Sequence, residues 1–151
     1  MDEIDKKILR IIQKNSNLPL SDLSKKVGIS ATPCWNRIKK MEEEKIILSR
    51  ITLVNNHKIN LPVTVFLSIS ISTHTDQWLK KFTEIINKYD QITEVYRLAG
   101  SNNDYQLKIL MSSIDEYDKF QQSLIKEIEC TNMRSHIVLK EIKKNNFLPL
   151  N

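Results

Sequence analysis

The stretch VGISATPCWNRIKKMEEE, residues Val27 to Glu44, decides the fold of the first third of the chain. Gly28 takes positive φ without steric penalty, so it is placed to end the helix before it. Ser30 is a good N-cap for the next helix. Pro33 falls in that helix's first turn, where its missing N–H costs little. Two helices joined by about three residues around a glycine make a helix-turn-helix.

Working backwards, DEIDKKILRIIQKN carries Ile4, Ile8, Ile11 and Ile12 on a 3.6-residue repeat and predicts a first helix. Leu20, Leu23 and Val27 predict a short second one. On a wheel of ~100° per residue, Ala31, Cys34, Ile38 and Met41 of the third helix face the other two. Thr32, Asn36, Lys39 and Lys40 lie opposite, flanked by Trp35 and Arg37. That exposed side starts with hydrogen-bonding groups and continues with cations. It suits base edges near the helix start and phosphates further along. Asn36 matches an adenine edge and Arg37 a guanine edge. The candidate DNA-binding residues are Ser30, Thr32, Pro33, Trp35, Asn36, Arg37, Lys39 and Lys40. Glu42, Glu43 and Glu44 repel phosphate, so the helix is expected to leave the duplex near Lys40.

Working forwards, IILSRITLV reads as a strand, a wing or linker, before the turn-like NNHKIN. VTVFLSISIS then alternates Val65, Leu67, Ile69 and Ile71 against Phe66, Ser68, Ser70 and Ser72, a period of two. Thr75 or Asp76 caps a helix with Leu79, Phe82, Ile85, Ile86 and Tyr89 inward. ITEVYRLA and DYQLKILM are strands around the turn GSNN. Ser113 with Glu116 predicts a capping box for a helix carrying Tyr117, Phe120, Leu124 and Ile128, and RSHIVLKEI is a last strand. The order β-α-β-β-α-β is ferredoxin-like. The fold class is α+β: a winged helix-turn-helix over 1–48, a linker strand or wing over 49–61, and a ferredoxin-like domain over 62–151. Two helices cover one face of the sheet, and a second copy is the expected cover for the other.

Residues 1–60 hold 12 Lys/Arg against 7 Asp/Glu, and the remainder is balanced at 11 each, so the whole net charge of +5 lies in the helical part. That asymmetry points to a polyanion. No apolar run approaches the ~20 residues of a transmembrane helix. The charged opening MDEIDKK does not suit a signal peptide, and the expected location is cytoplasmic. Cys34 and Cys130 stand apart with no CxxC, and no histidine sits at ligand spacing, so neither a metal nor a cofactor is expected. No nucleophile–base set or phosphate loop is present, which argues against an enzyme. An RNA-binding ferredoxin-like protein is the more remote alternative. DYQLKILM has Tyr105 but lacks the basic-Gly-aromatic motif of such domains.

GISATPCWNRIKKMEEE resembles the recognition helix of the Lrp/AsnC (feast/famine) family of transcriptional regulators, its leucine-responsive branch in particular. DEIDKKIL resembles that family's first helix and IECTNMRSHIVLKEIKK its last strand. The resemblance implies a sequence-specific DNA-binding regulator of amino-acid metabolism genes, with double-stranded DNA and an amino acid, leucine or another, as partners. It also implies a homodimer at least, with assembly to an octamer. A family member with no small-molecule effector is the alternative. In the family a glycine and an Asp-Tyr pair bracket the effector loop. Carried over, this gives Gly100, Ser101, Asn102, Asn103 and Asp104, with His136 on the last strand. Three residues separate Gly100 from Asp104 where the family commonly has two. Asp104 is expected to pair the effector's ammonium, and turn N–H groups its carboxylate.

Overall fold

The computed structural model describes residues 1–100 and 103–150. They form two compact units, one of Met1–Leu53 joined by the tail from Ile142 onward, the other of Val54–Glu141.

The first unit is three helices: α1 (Glu3–Ile12), α2 (Leu20–Val27) and α3 (Ala31–Glu43). α1 starts in a reciprocal capping box between Asp2 and Asp5. Its apolar stripe buries Ile8 and Leu9 against Leu23 and Val27 of α2 and Cys34, Ile38 and Met41 of α3. Ile4, Ile11 and Ile12 pack at the margin of that core, whereas Ala31 is exposed. Gly28 closes α2 with φ +88°, as its position requires, and its N–H donates to the Ser24 carbonyl. Ser30 occupies the N-cap of α3 with extended backbone, but its hydroxyl makes no capping bond. Pro33 stands at the third helical position and has no N–H to offer it.

The expected strand over 46–54 does not form: no residue there joins a ladder among the described residues. Leu48, Ile51, Leu53 and Val54 are all more than 60% exposed. Alternation alone makes no strand when no neighbouring backbone offers hydrogen bonds.

The second unit opens with a 3₁₀ turn (Asn56–Ile59) and continues as β1 (Val63–Ser70), α4 (Asp76–Ile86), β2 (Ile92–Arg97), β3 (Tyr105–Met111), α5 (Ile114–Glu127) and β4 (Asn132–Ile137). The antiparallel sheet has the order β2-β3-β1-β4, the ferredoxin-like arrangement. Val65, Leu67 and Ile69 of β1, with Leu107 and Ile109 of β3, are buried under Phe82, Ile85, Phe120 and Leu124. Leu79 is 41% exposed rather than inward, and Trp78 packs in its place, stacked on Phe82 at 4.8 Å. Thr75, not Asp76, caps α4. Ser113 caps α5 through the Glu116 N–H, but the Glu116 carboxylate turns to Lys119, so only half of the expected box forms. β4 is shorter than its sequence suggests. Val138 still donates to Thr64, one residue from the start of β1.

Among the described residues, no helix of the second unit covers the other sheet face. It carries Phe66, Gln106, Lys108, Tyr96 and His136, with Phe66 38% and Tyr96 53% exposed. Ser68 on this face is only 2% exposed and its hydroxyl donates to Gln106 Oε1 at 3.1 Å. The Gln106 Nε2 is buried with no partner among the described residues.

Candidate nucleic-acid interface and effector loop

α3 presents Thr32, Pro33, Trp35, Asn36, Lys39 and Lys40 to solvent, with Ser30 exposed just before it. Thr32, Pro33, Asn36, Arg37 and Lys40 line one shallow concavity with Met1, Asp2 and Asp5 of the neighbouring helix start. Lys39 lies over the Trp35 ring at 4.8 Å and also meets Glu42 at 3.0 Å. The ring packs along the lysine and restricts it, while the cation–π contact leaves the ammonium available to an anion. Lys40 lies 3.7 Å from Glu44. Each lysine is thus balanced on its C-terminal side, where the helix is expected to leave the duplex.

Arg37 departs from the simple picture of a free side chain. Its Nη1 donates to Asp2 Oδ2 at 2.7 Å and Asp5 Oδ1 at 2.8 Å. The Asp5 backbone N–H, and then the Arg37 guanidinium, hold the Asp2 carboxyl below its ordinary value. The sequence places Arg37 on the flank of the wheel, but carries no sign that α1 supplies it with two carboxylates.

In the second unit, Gly100 takes φ +88°, which favours glycine. Ser101 and Asn102 lie outside the described residues. Asn103 is half-buried. Asp104 is built into the scaffold: its Oδ2 accepts the Ile71 N–H at 2.8 Å, and its own N–H donates to the Ile69 carbonyl at 2.8 Å. His74 Nε2 lies 3.5 Å from Asp104 Oδ1. Both Asp104 oxygens face protein groups, and Asp104 ties the segment after β1 to the β2–β3 hairpin. His136 pairs with Phe66 on the open sheet face, four rungs from the Ser70–Asn132 end of β1, which is about 13 Å along the strands.

A cavity of about 520 Å³ opens at that same sheet end. Ile71, Ser72, Thr73 and Thr75 line it from the segment after β1, Trp78 and Lys81 from α4, and Glu129, Cys130 and Thr131 from the segment before β4. The Trp78 indole donates to the Glu129 carbonyl at 2.7 Å, which fixes the ring as an apolar wall. The cavity thus offers one ammonium, one carboxylate, several hydroxyls and a flat apolar surface. Burial pushes the Cys130 thiol up, so the thiol lining this wall is neutral at pH 7.

Two family models match the chain: winged helix-turn-helix DNA-binding over residues 1–47, and the Lrp/AsnC ligand binding domain over residues 64–148. The chain belongs to the Lrp/AsnC family. The glutamate uptake regulatory protein of Zymomonas mobilis is 37% identical to it over 150 residues, covering 99% of this chain and 91% of that protein. A crystal structure of an AsnC family regulator from Agrobacterium tumefaciens superposes with a TM-score of 0.93 at 43% identity, covering 99% of this chain and 97% of the other. A transcriptional regulator of Neisseria meningitidis, solved in complex with L-Met, superposes at 0.94 with 30% identity, covering 100% and 97%.

Within this Lrp/AsnC chain, sequence reasoning alone misses His74, Trp78, Lys81 and Glu129. The stretch STHTDQW yields only a helix cap. Its run of small hydroxyls before an aromatic is the available signal, but the carboxylate that completes the cavity comes from about fifty residues further on.

Proposed function

We propose that this chain is an amino-acid-responsive, DNA-binding transcriptional regulator. It reads duplex DNA with the exposed side of α3 and holds its effector in the cavity lined by Trp78, Lys81 and Glu129. The observation that carries the effector reading is the pairing of opposite charges across an apolar wall. Lys81 is suited to an α-carboxylate and Glu129 to an α-ammonium, with Trp78 and Ile71 against the side chain. The volume suits a single amino acid. Methionine, bound by the Neisseria relative, and glutamate, in the name of the Zymomonas one, are the first ligands to try. Asp104 supports the site from outside by fixing Ile71. Amino-acid metabolism or uptake genes are the expected targets.

The regulator acts as a homodimer at least, through the open sheet face, and the octamer implied by the family is built from such dimers. Exposed Phe66 and Tyr96 favour a covered face. Two copies place two α3 helices on a pseudo-palindrome about 34–36 Å apart.

The test is calorimetric titration of the twenty amino acids into the full chain, repeated with Lys81→Ala and Glu129→Gln. Binding of at least one amino acid, weakened about tenfold or more by either change, is the expected result. An absence of binding at millimolar concentration favours the effector-free alternative. Binding unaffected by both substitutions places the effector elsewhere.

A further inference from the structure

The first turn of α1 has no obvious business at a DNA-reading surface, because it is acidic. Yet Asp2 and Asp5 line the same concavity as Thr32, Asn36 and Lys40. Their four carboxylate oxygens are divided in a definite way. Asp2 Oδ1 accepts the Asp5 N–H at 2.9 Å, and Asp5 Oδ2 accepts the Asp2 N–H at 2.9 Å. The two remaining oxygens, Asp2 Oδ2 and Asp5 Oδ1, both meet a single atom, Arg37 Nη1. The capping box fixes both carboxylates, and these in turn fix the arginine.

A guanidinium carries five N–H groups in a rigid plane. Nη1 has two, and both are engaged. The Nε–H and the adjacent Nη2–H run parallel on the opposite edge, and among the described residues neither has a partner. That edge is an intact two-pronged donor on a side chain that is 33% exposed.

We propose that Asp2 and Asp5 buttress Arg37 so that its Nε–Nη2 edge reads a guanine in the major groove, making the start of α1 part of the specificity apparatus. The inference rests on α3 being the DNA-reading helix. A guanine presents O6 and N7 as a planar acceptor pair that matches the fork. A phosphate would match it too, but charge decides between them. The two carboxylates held against the guanidinium offset its charge, so the fork draws a phosphate less strongly than a free arginine does and tolerates a neutral base edge. Pre-ordering by the carboxylates also removes rotamer entropy that a free arginine loses on binding. Arg37 is then the specificity-determining contact, Asp2 and Asp5 are positioning residues, and Lys39 and Lys40 supply charge without sequence preference.

The experiment is selection from randomised duplexes, read by sequencing, with the full chain carrying no added N-terminal residues. Wild type, Asp2→Asn/Asp5→Asn, Arg37→Lys and Lys39→Ala/Lys40→Ala are run in parallel. Wild type is expected to demand a guanine at one position of each half-site. Arg37→Lys, a cation without a fork, loses that preference about tenfold or more. The double Asn variant keeps the backbone caps through its amide oxygens. It relaxes the same position about fivefold and leaves scrambled-duplex affinity unchanged or slightly tighter. Single Asp2→Asn and Asp5→Asn proteins, checked by thermal melting, cover the case in which the double variant is poorly folded. A guanine preference unaltered by the Asn changes overturns the buttress, as does a uniform loss across all positions. If no duplex is enriched and Lys39→Ala/Lys40→Ala binds DNA like wild type, the underlying reading of α3 fails instead.

Discussion

Gln13 clamps Leu148 at two points: its carboxamide oxygen accepts the Leu148 N–H at 2.6 Å, and its amide donates to the Leu148 carbonyl at 3.4 Å. One helical turn back, Arg10 Nη2 donates to the Leu150 carbonyl at 2.8 Å, and the Leu150 side chain packs on the helical core. The C-terminal tail is therefore stitched along α1 and belongs to the first unit, although it follows the last strand of the second.

Gln13→Ala removes both ends of the clamp and exposes the edge of the core that Leu150 covers. The three-helix unit is expected to lose about 1–2 kcal/mol, since the groups are near the surface and water replaces part of the loss. Deleting residues from Leu148 onward is expected to cost somewhat more, because the apolar packing goes too. Thermal denaturation followed by circular dichroism reads both. Melting temperatures equal to wild type for both proteins refute a structural role for the tail.

Much of this is legible in sequence and the rest is not, for identifiable reasons. Periodicity and the turn glycine find α1, α2 and α3, because each helix carries its own apolar repeat. Alternation in VTVFLSISIS finds β1, whose partners are also present. The same alternation misleads at 46–54, where no neighbouring strand lies alongside among the described residues. The tail is invisible because its docking depends on two polar side chains of α1 more than 130 residues away. The Lys81–Glu129 cavity is hidden for a similar reason: three separate segments make it, and none carries a motif. Asp104 stands out in the sequence, but its bond to the Ile71 N–H is invisible there because Ile71 lies 33 residues away.

The lysines of α3 give a prediction about salt rather than sequence. Lys39 and Lys40 are exposed, and among the described residues their ammonium groups meet glutamates of their own helix region and the Trp35 ring. Lys39→Ala/Lys40→Ala is expected to weaken binding to specific and scrambled duplexes alike. The slope of log affinity against log salt should shallow by about one for each phosphate no longer neutralised. Asn36→Ala should instead lower the preference among sequences with little change in slope. Filter binding between 50 and 300 mM salt (about the useful range for such slopes) separates the two. An unchanged slope for the double lysine variant shows that this side of α3 does not meet phosphate.

The open sheet face yields a prediction about assembly. A charge at Phe66 places a carboxylate in the middle of the proposed dimer interface, so Phe66→Glu is expected to weaken the dimer more than about tenfold. Ser68 and Gln106 behave differently. Their mutual hydrogen bond leaves the Gln106 Nε2 without a partner among the described residues, and replacing both members by apolar residues removes that liability. Ser68→Ala/Gln106→Leu is expected to form a dimer at least as tight as wild type. Sedimentation equilibrium measures both. Wild-type association for Phe66→Glu moves the dimer interface to another surface.

The charged pairs of the first unit fix the direction of its acid response. The Asp5 backbone N–H and the Arg37 guanidinium hold the Asp2 carboxyl below its ordinary value, Lys6 does the same for Glu3, and Lys39 and Arg50 for Glu42. A carboxyl with a depressed value in the folded chain binds fewer protons there than when unfolded. Its stabilisation is therefore complete above the unfolded value, near about 4, and is lost as pH falls through the lower folded value. The melting temperature is expected to be flat with respect to these groups above about pH 5 and to fall below about pH 4. Because all three carboxyls lie near the surface, the fall is modest and shrinks with added salt. Asp2→Asn removes one contributor: its melting temperature starts lower at neutral pH and converges on wild type in acid. Melting curves recorded from about pH 7 down to about pH 2.5, a range that brackets the carboxyl titration, test this. Parallel curves for the two proteins across that range would show that the Asp2 carboxylate does not hold Arg37 in solution.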